Sequence, residues 1–224
     1  MKSKLIIAID GPAGSGKSST AKYLAKKLKL PYIDTGAMYR VVTLEALRRK
    51  ISFQNVKQLV EITKKIRISF SNSSSGEQRV YVNRRNVTRQ IREPELTKNV
   101  FYVAREPRIR REMVKKQRAL GLKEGAVMEG RDIGTVVFPK ADYKFFFVAK
   151  PLIRAKRRQR DLNKIGELPT LNQVLRDIQK RDRHDQTRSE GPLKRAKDAI
   201  VLDTTSLTIA QTADKILRIV GKNQ

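Results

Sequence analysis

The sequence feature that most constrains this chain is the glycine-rich segment GPAGSGKS at residues 11–18, which directly follows the apolar run at 5–9. A Gly-x-x-x-x-Gly-Lys-Ser pattern between a strand and a helix is typical of a phosphate-binding loop. Its glycines allow the backbone to curl into a concave turn, because glycine tolerates positive φ angles. The inward N–H groups of such a turn and the positive end of the next helix attract phosphate. We therefore predict a helix over 17–28 and a nucleotide at its start.

The loop also carries two side chains suited to a nucleoside triphosphate. Lys17 can reach the β and γ phosphates, and the Ser18 hydroxyl can contact a Mg²⁺ ion held mostly by phosphates and waters. The predicted nucleotide-binding residues are Gly11, Pro12, Ala13, Gly14, Ser15, Gly16, Lys17, Ser18 and Ser19.

Short apolar runs recur along the chain at 5–9, 31–33, 126–129, 144–148 and 200–203, with amphipathic stretches between them. Runs of this kind suit buried parallel strands. Strand–helix alternation predicts an α/β fold, a doubly wound three-layer sheet with ligands at the carboxyl ends of its strands. One region departs from this pattern, because apolar and polar residues alternate on both sides of a turn at 71–76. It predicts a hairpin inside a small β-containing insertion at about 63–102.

Composition narrows the class of protein further. The 224 residues suffice for one α/β domain with an insertion. Lys and Arg number 50 against 22 Asp and Glu, a net charge of +28, but the basic pairs are spread along the chain. No RNA-binding motif with interleaved aromatic residues is present, so we expect weak, salt-sensitive binding to nucleic acid rather than a specific partner. The lack of cysteine and of a long apolar run favours a cytoplasmic protein without a membrane anchor.

Three further segments bear on what is bound opposite the loop. DTGAMYR at 34–40 offers Arg40 as a planar fork for a phosphate, and Thr35 as a phosphate contact or a helix cap. EGRDIGT at 129–135 places a charged pair between glycines at the end of a predicted strand. In RDRHDQTR at 181–188, two arginines and Asp185 share a helix face if the helix continues. That face is either a plain ion pair or a phosphate clamp.

Taken in order, the stretches IAIDGPAGSGKSS, DTGAMYR, GRDIGTVVFP, RDRHDQTR and IVLDTT resemble the bacterial cytidylate kinase family from Leu5 to about Val220. The resemblance implies a P-loop NTP hydrolase fold with a parallel five-stranded sheet. Its kinase core would be 1–62 and 103–224, with a nucleoside-monophosphate-binding insertion at 63–102 and a short helical lid at about 151–166. The implied reaction is transfer of the γ-phosphoryl group of ATP to CMP and dCMP, with Mg²⁺.

The resemblance also assigns residues. Those implied for catalysis are Lys17, Arg131, Arg154 and Arg158, with Arg157 beside ATP. Those implied for CMP are Thr35, Tyr39, Arg40, Arg110, Arg131, Asp132, Arg181, Asp185 and Arg188, of which Arg110 and Asp132 would face the cytosine edge. One position departs from the family, because related enzymes carry a small hydroxyl residue near the position of Phe101 that helps to hold the base. Phe cannot donate that bond, so Thr97 or another neighbour would have to replace it.

Other functions require different sequence motifs. A GTPase needs a guanine-binding Asn-Lys-x-Asp, and the nearest match, NKIG at 163–166, lacks the Asp. A kinase for UMP or another small acceptor, and a basic nucleic-acid-binding module with an ATP fold, remain alternatives. We expect a monomer that binds ATP and CMP or dCMP, with no membrane partner.

Overall fold

The computed structural model describes residues 4–72 and 78–221, so most of the turn predicted at 71–76 lies outside the described residues. Two compact units divide the chain, with boundaries after Tyr32 and before Gly121. The strands are β1 (Ile6–Asp10), β2 (Tyr32–Asp34), β3 (Ile68–Asn72), β4 (Gln78–Val82), β5 (Arg85–Asn86), β6 (Ala126–Gly130), β7 (Tyr143–Val148) and β8 (Ile200–Asp203). The α-helices are α1 (Lys17–Leu28), α2 (Thr35–Arg48), α3 (Val56–Lys65), α4 (Pro94–Ala104), α5 (Pro107–Glu124), α6 (Pro151–Asn163), α7 (Leu171–Thr187) and α8 (Ile209–Gly221).

A five-stranded sheet of order β2-β6-β1-β7-β8 forms the first unit's centre, and all five predicted strands belong to it. β1 pairs in parallel with β6 and β7, and β7 with β8, so Ile7 lies between Val127 and Tyr143. Every residue of β1 and β6 is buried, as expected where both faces of a parallel sheet are covered.

Helices cover both faces of this sheet. Ile7, Ile9 and Phe147 pack with residues of α1 and α8 on one side. On the other side, Gly121 of α5 lies close enough to Ile6 and Phe138 that a methyl group there would contact both side chains. The predicted three-layer α/β architecture and the predicted helix over 17–28 are both confirmed.

The stretch predicted as a lid contains α6, which packs against α7. Pro151 opens α6 at a position where its missing N–H costs nothing. Thr170 caps α7 in a capping box with Gln173. Ala155, Val174 and Ile178 form a small apolar core of their own. Closure of this pair over a ligand stays a prediction.

The second unit extends from Ile33 to Leu120 and contains a three-stranded antiparallel sheet of order β3-β4-β5. The predicted hairpin is confirmed, with Ile68 opposite Val82 and Phe70 opposite Val80. The unit is wider than the insertion predicted at 63–102, because α2, α3, α4 and most of α5 belong to it. The narrower boundaries of the insertion stay a prediction.

Across residues 4–72 and 78–221, none of the helices combines the length and the apolar character that crossing a bilayer requires.

Gly125 tests how tightly β1 and β6 are joined, because it precedes β6 at φ +79° and a Cβ there would lie 2.6 Å from the Leu5 carbonyl oxygen. Gly125→Ala should lower the free energy of unfolding by about 1–2 kcal/mol through backbone strain, and by about 1–3 kcal/mol more through the overlap. Gly166→Ala is the matched control, since Gly166 has φ +83° with nothing nearby and should lose only the strain contribution. Urea unfolding measures both, and equal losses would contradict the tight packing at Gly125.

Candidate active site

The predicted phosphate-binding loop follows β1 and leads directly into α1. Gly11, Gly14 and Gly16 have φ angles of +148°, +73° and +89°. Side chains cannot replace the first two, because a Cβ on Gly11 would overlap the Phe147 carbonyl and one on Gly14 would lie 2.7 Å from the Arg154 carbonyl oxygen. Gly16 is the N-cap of α1 and provides no side-chain cap. The first N–H groups of α1 are therefore open to an anion.

The outer side of the loop is braced by the end of β8 and by α6. The Thr204 hydroxyl donates a hydrogen bond to the Ser15 carbonyl (2.8 Å), and the Ser15 hydroxyl donates to the Pro12 carbonyl (2.9 Å). Arg157 donates to the Thr204 carbonyl at 2.6 Å. These contacts fix the loop's curvature without using the N–H groups that face a ligand.

Lys17 lies inside the loop with only 4% of its surface exposed. Its Nζ donates to the Pro12 carbonyl at 2.7 Å. The pKa of Lys17 is lowered to about 7, first by burial and then by the charges of Arg131 and Arg181, while Glu129 and Asp10 act in the opposite direction. The lysine is thus crowded by cations, and an added polyanion would relieve that repulsion.

Ser18 and Glu129 place two oxygen donors beside the loop. The Ser18 hydroxyl donates to a carboxylate oxygen of Glu129 at 2.5 Å, and the Tyr32 hydroxyl donates to the same oxygen at 3.1 Å. Mg²⁺ prefers oxygen ligands and usually takes one or two from protein. A hydroxyl on α1 and a carboxylate in β6 therefore fit that ion.

Asp10, the last residue of β1, anchors the segment that follows β6. Its carboxylate accepts hydrogen bonds from the backbone N–H groups of Ile133 (2.9 Å) and Gly134 (2.8 Å). Burial nevertheless raises the pKa of Asp10 to about 7. These bonds hold the turn that begins with Arg131, so Asp10 positions that arginine through the backbone.

Asp185 joins Arg131 and Arg188 in a largely buried cluster. Arg131 Nε donates to Asp185 at 2.7 Å, and Arg188 Nη1 donates to the other carboxylate oxygen at 3.4 Å. Burial alone would raise the pKa of Asp185, but Arg131, Arg181 and Arg188 lower it below its ordinary value. Burial alone would lower the pKa of Arg131, but Asp185, Glu129 and Asp182 outweigh it and raise that pKa.

Arg188 does not reach this cluster in the way that the helical spacing suggests. Helix α7 ends at Thr187, and Arg188 is its C-cap with an extended backbone, φ −64° and ψ 145°. The guanidinium also lies 3.7 Å from Asp132. The cluster therefore joins the end of β6 to the end of α7, and it is more than an ion pair along one helix.

Of the lid arginines, Arg154 is the most firmly held. It is 5% exposed, pairs with Asp182 at 2.6 Å and donates to the Ala13 carbonyl of the loop at 3.0 Å. Arg158 lies one helical turn further on and is half-buried. Within the described part of the chain Arg158 makes no hydrogen bond or ion pair. One arginine is thus fixed on the loop while the other is available to a ligand.

The second unit holds the remaining predicted CMP residues. Asp34 caps α2 through the Ala37 N–H (2.8 Å) and pairs with Arg40 at 2.9 Å. Arg110 is 3% exposed and its guanidinium lies 5.3 Å from the centre of the Tyr39 ring. Thr35, the first residue of α2, is buried as well.

Phe101 lies on α4 beside Tyr102, and the guanidinium of Arg105 stands 4.9 Å above the Phe101 ring. The Thr97 hydroxyl donates a hydrogen bond to the Glu93 carbonyl at 3.1 Å. The ring is therefore part of an aromatic–cation group on the second unit.

Sequence reasoning gathered most of these residues and missed four. The first unit brings together Lys17, Ser18, Arg131, Asp132, Arg154, Arg157, Arg181, Asp185 and Arg188, and the second holds Thr35, Tyr39, Arg40 and Arg110. The missed residues are Asp10, Glu129, Asp182 and Thr204. A polar residue near or just after the end of a strand, as at Asp10, Glu129 and Thr204, is the signal that could have found three of them.

A phosphate-binding loop at the carboxyl end of a parallel sheet, with buried arginines beside its lysine, defines a P-loop phosphotransferase. The family model for cytidylate kinase matches residues 7–222. A protein named cytidylate kinase from Anoxybacillus flavithermus is 48% identical over 98% of this chain and 97% of its own, and one from Bacillus cereus is 46% identical over 99% and 98%. The chain belongs to the cytidylate kinase family.

Among solved structures, an uncharacterized protein from Eubacterium ventriosum has a TM-score of 0.53 with 14% identity, covering 97% of this chain and 98% of its own. That likeness concerns the fold.

Asp185→Asn should destabilise the protein by about 3 kcal/mol at pH 7, because it removes the carboxylate that Arg131 and Arg188 share in a largely buried cluster. The folded-state pKa of Asp185 lies below its ordinary 3.8, so the stabilisation is complete above that value and is lost as pH falls through the folded-state pKa. Urea unfolding at several pH values measures the difference. Asp203→Asn is the control, since Asp203 is an exposed carboxylate whose partners are Thr205 groups. Equal effects of the two substitutions would contradict a buried cluster.

Proposed function

We propose that this chain transfers the γ-phosphoryl group of ATP to CMP, which gives ADP and CDP, and that it also accepts dCMP. The observation that carries the proposal is the cluster of Arg131, Asp185 and Arg188 beside Lys17. It supplies buried positive charge at the end of the phosphate-binding loop, in a chain nearly half identical to proteins named cytidylate kinase.

The triphosphate end of the reaction uses the loop and α1. The open N–H groups at the start of α1 would hold the β phosphate, and Lys17 would turn from the Pro12 carbonyl to the β and γ phosphates. Ser18 and Glu129 would hold Mg²⁺ directly or through water. When bound, that ion neutralises part of the charge on the phosphates. Arg157 would lie beside ATP, since it already braces the loop's outer side.

The acceptor end uses the arginines. Arg131 and Arg188 would exchange part of their contact with Asp185 for the CMP phosphate, and Arg181 would join them. Guanidinium forks match phosphate oxygens in pairs. We assign Arg40, Thr35 and Tyr39 to the same phosphate and ribose, and Arg110 and Asp132 to the cytosine edge. The proposed insertion at 63–102 and lid at 151–166 would close over the two nucleotides.

The chemistry needs charge and alignment more than it needs a base. The attacking oxygen belongs to a phosphate that is largely ionised at neutral pH, so no side chain has to remove a proton. Two polyanions must instead be brought in line, and catalysis of phosphoryl transfer consists mainly of positioning and charge stabilisation. Lys17, Arg131, Arg154 and Arg158 are the groups that we assign to the transferred phosphoryl. Asp182 would keep Arg154 on the loop.

The proposal includes a monomer that acts in the cytoplasm and has no sequence-specific nucleic-acid partner. The absence of cysteine in the sequence and the small size of both substrates support it. Phe101 bears mainly on the base preference, because its ring offers stacking where a hydroxyl would offer a hydrogen bond.

A panel of nucleoside monophosphates tests the proposal. ADP release is measured with ATP and Mg²⁺ and with CMP, dCMP, UMP, AMP or GMP as acceptor. We expect the highest kcat/KM for CMP and measurable turnover of dCMP. If CMP and dCMP are both inert while another acceptor reacts, the proposed substrate is wrong.

Lys17→Ala provides the control in the same assay. It should lower kcat by a factor of about 10³ with the acceptor that reacts best, because the loop keeps its backbone but loses its cation. Its far-ultraviolet circular dichroism should match that of the parent protein. Near-normal turnover would contradict the role of Lys17 whichever acceptor is used.

A further inference from the structure

The segment that contains the small sheet of the second unit is basic and rich in arginine. Residues 67–92 contain six arginines and no lysine, although the whole chain has 25 of each, and Glu77 is their one acidic residue. The side chains of all six are exposed: Arg67, Arg79, Arg84, Arg85, Arg89 and Arg92. Within residues 4–72 and 78–221, none of the six pairs with a carboxylate. The catalytic proposal uses none of them.

The outer face of this sheet differs from its inner face. Ile68, Val80 and Val82 point inward and are buried. The strand register aligns Ser69, Tyr81 and Asn86 in one row across the three strands and sets Ser71 opposite Arg79 in the next. Tyr81 is half-buried, and hydrogen bonds from Ser71 and Arg79 lower the pKa of its phenol. The outer face thus presents an aromatic ring among small polar groups and an arginine.

A cavity of about 630 Å³ opens beside this face. Its lining carries two guanidinium groups, two amides and a hydroxyl, from Arg79, Asn86, Thr88, Arg89 and Gln90. Thr88 donates to the Asn86 side chain at 2.7 Å and accepts from the Val80 N–H at 2.9 Å, which fixes that amide. The volume lies in the range of small-ligand pockets and suits one nucleotide.

The backbone at Arg84 adopts a positive φ that the tight turn imposes and that residues other than glycine resist. Asn83 and Arg84 have φ angles of +47° and +69° and form the two-residue turn between β4 and β5, since Val82 pairs with Arg85. Glycine is favoured at the second position of such a turn, because other residues resist positive φ. The Arg84 side chain is exposed, so packing does not offset the strain. An exposed arginine thus occupies a turn position at which glycine would be less strained.

We propose that the outer face of the β3-β4-β5 sheet, together with this cavity, binds single-stranded RNA. Arg79, Arg84 and Arg89 contact successive phosphates, and a base lies against Tyr81 and the cavity amides. Guanidinium forks recognise phosphate oxygens, and half-exposed aromatic rings among polar neighbours are the platforms on which unpaired bases stack. A membrane surface would favour apolar side chains at this face, whereas the described lining residues are all polar: Arg79, Asn86, Thr88, Arg89 and Gln90. The inference does not depend on the kinase proposal.

Fluorescence anisotropy with a labelled oligouridylate of about 12 nucleotides tests this surface. In the full-length protein, R79Q/R89Q should raise Kd about tenfold at about 100 mM KCl, and the slope of log Kobs against log[KCl] should become shallower by about 1.4 for the two lost phosphate contacts. Arg176→Gln is the matched control, because Arg176 is an exposed arginine on α7 outside this sheet. Equal weakening by Arg176→Gln would show diffuse electrostatic binding and would overturn the proposal.

Arg84→Gly separates binding from folding. It should raise the melting temperature, because glycine relieves the turn, while it raises Kd for the oligonucleotide about threefold. Lys50→Gly is its control, since Lys50 also has a positive φ of 53° and is exposed in the same unit. That variant should gain stability without losing affinity. Both should keep the parent turnover in the ADP-release assay. An unchanged Kd for Arg84→Gly would overturn the proposal. So would an Arg84→Gly variant that loses binding to phosphatidylglycerol vesicles while it keeps its binding to RNA.

Discussion

The ion pairs of Asp185 with Arg131 and Arg188 are the interaction on which the rest of the site depends. Several guanidinium groups and a lysine lie beside the phosphate-binding loop, and their mutual repulsion in a buried setting would be prohibitive without a carboxylate among them. Asp185 supplies that carboxylate. Because it accepts from both arginines, it also sets where their remaining donors point. The site is thus assembled before any phosphate arrives.

The same arrangement explains the state of Lys17. Burial and the neighbouring arginines disfavour its charge, and Glu129 and Asp10 compensate only in part. A triphosphate would supply the missing negative charge, and its binding would relieve the repulsion between Lys17 and the neighbouring arginines. Four further residues support this arrangement, because each holds a segment or side chain that faces the ligand: Asp10, Glu129, Asp182 and Thr204.

Sequence reasoning succeeded where the signal is local. The glycine pattern, the five apolar runs and the alternation around Phe70 each report backbone geometry within a few residues, and the structure confirms them. It fell short where the contact joins distant segments. The bond from Thr204 to Ser15 joins residues 189 positions apart, and the sequence around Thr204 does not indicate which residue is its partner. For Arg188, the helical spacing predicted the correct partner, Asp185, but the helix ends one residue before Arg188.

The charge state of Lys17 reports most directly on this electrostatic arrangement, and a ¹⁵N NMR titration of its side chain measures it, with Lys17→Arg used to assign the signal. We expect a pKa of about 7 in the free protein and a clear rise when ATP is added. A pKa close to the ordinary 10.5 in the free protein, unchanged by ATP, would contradict it.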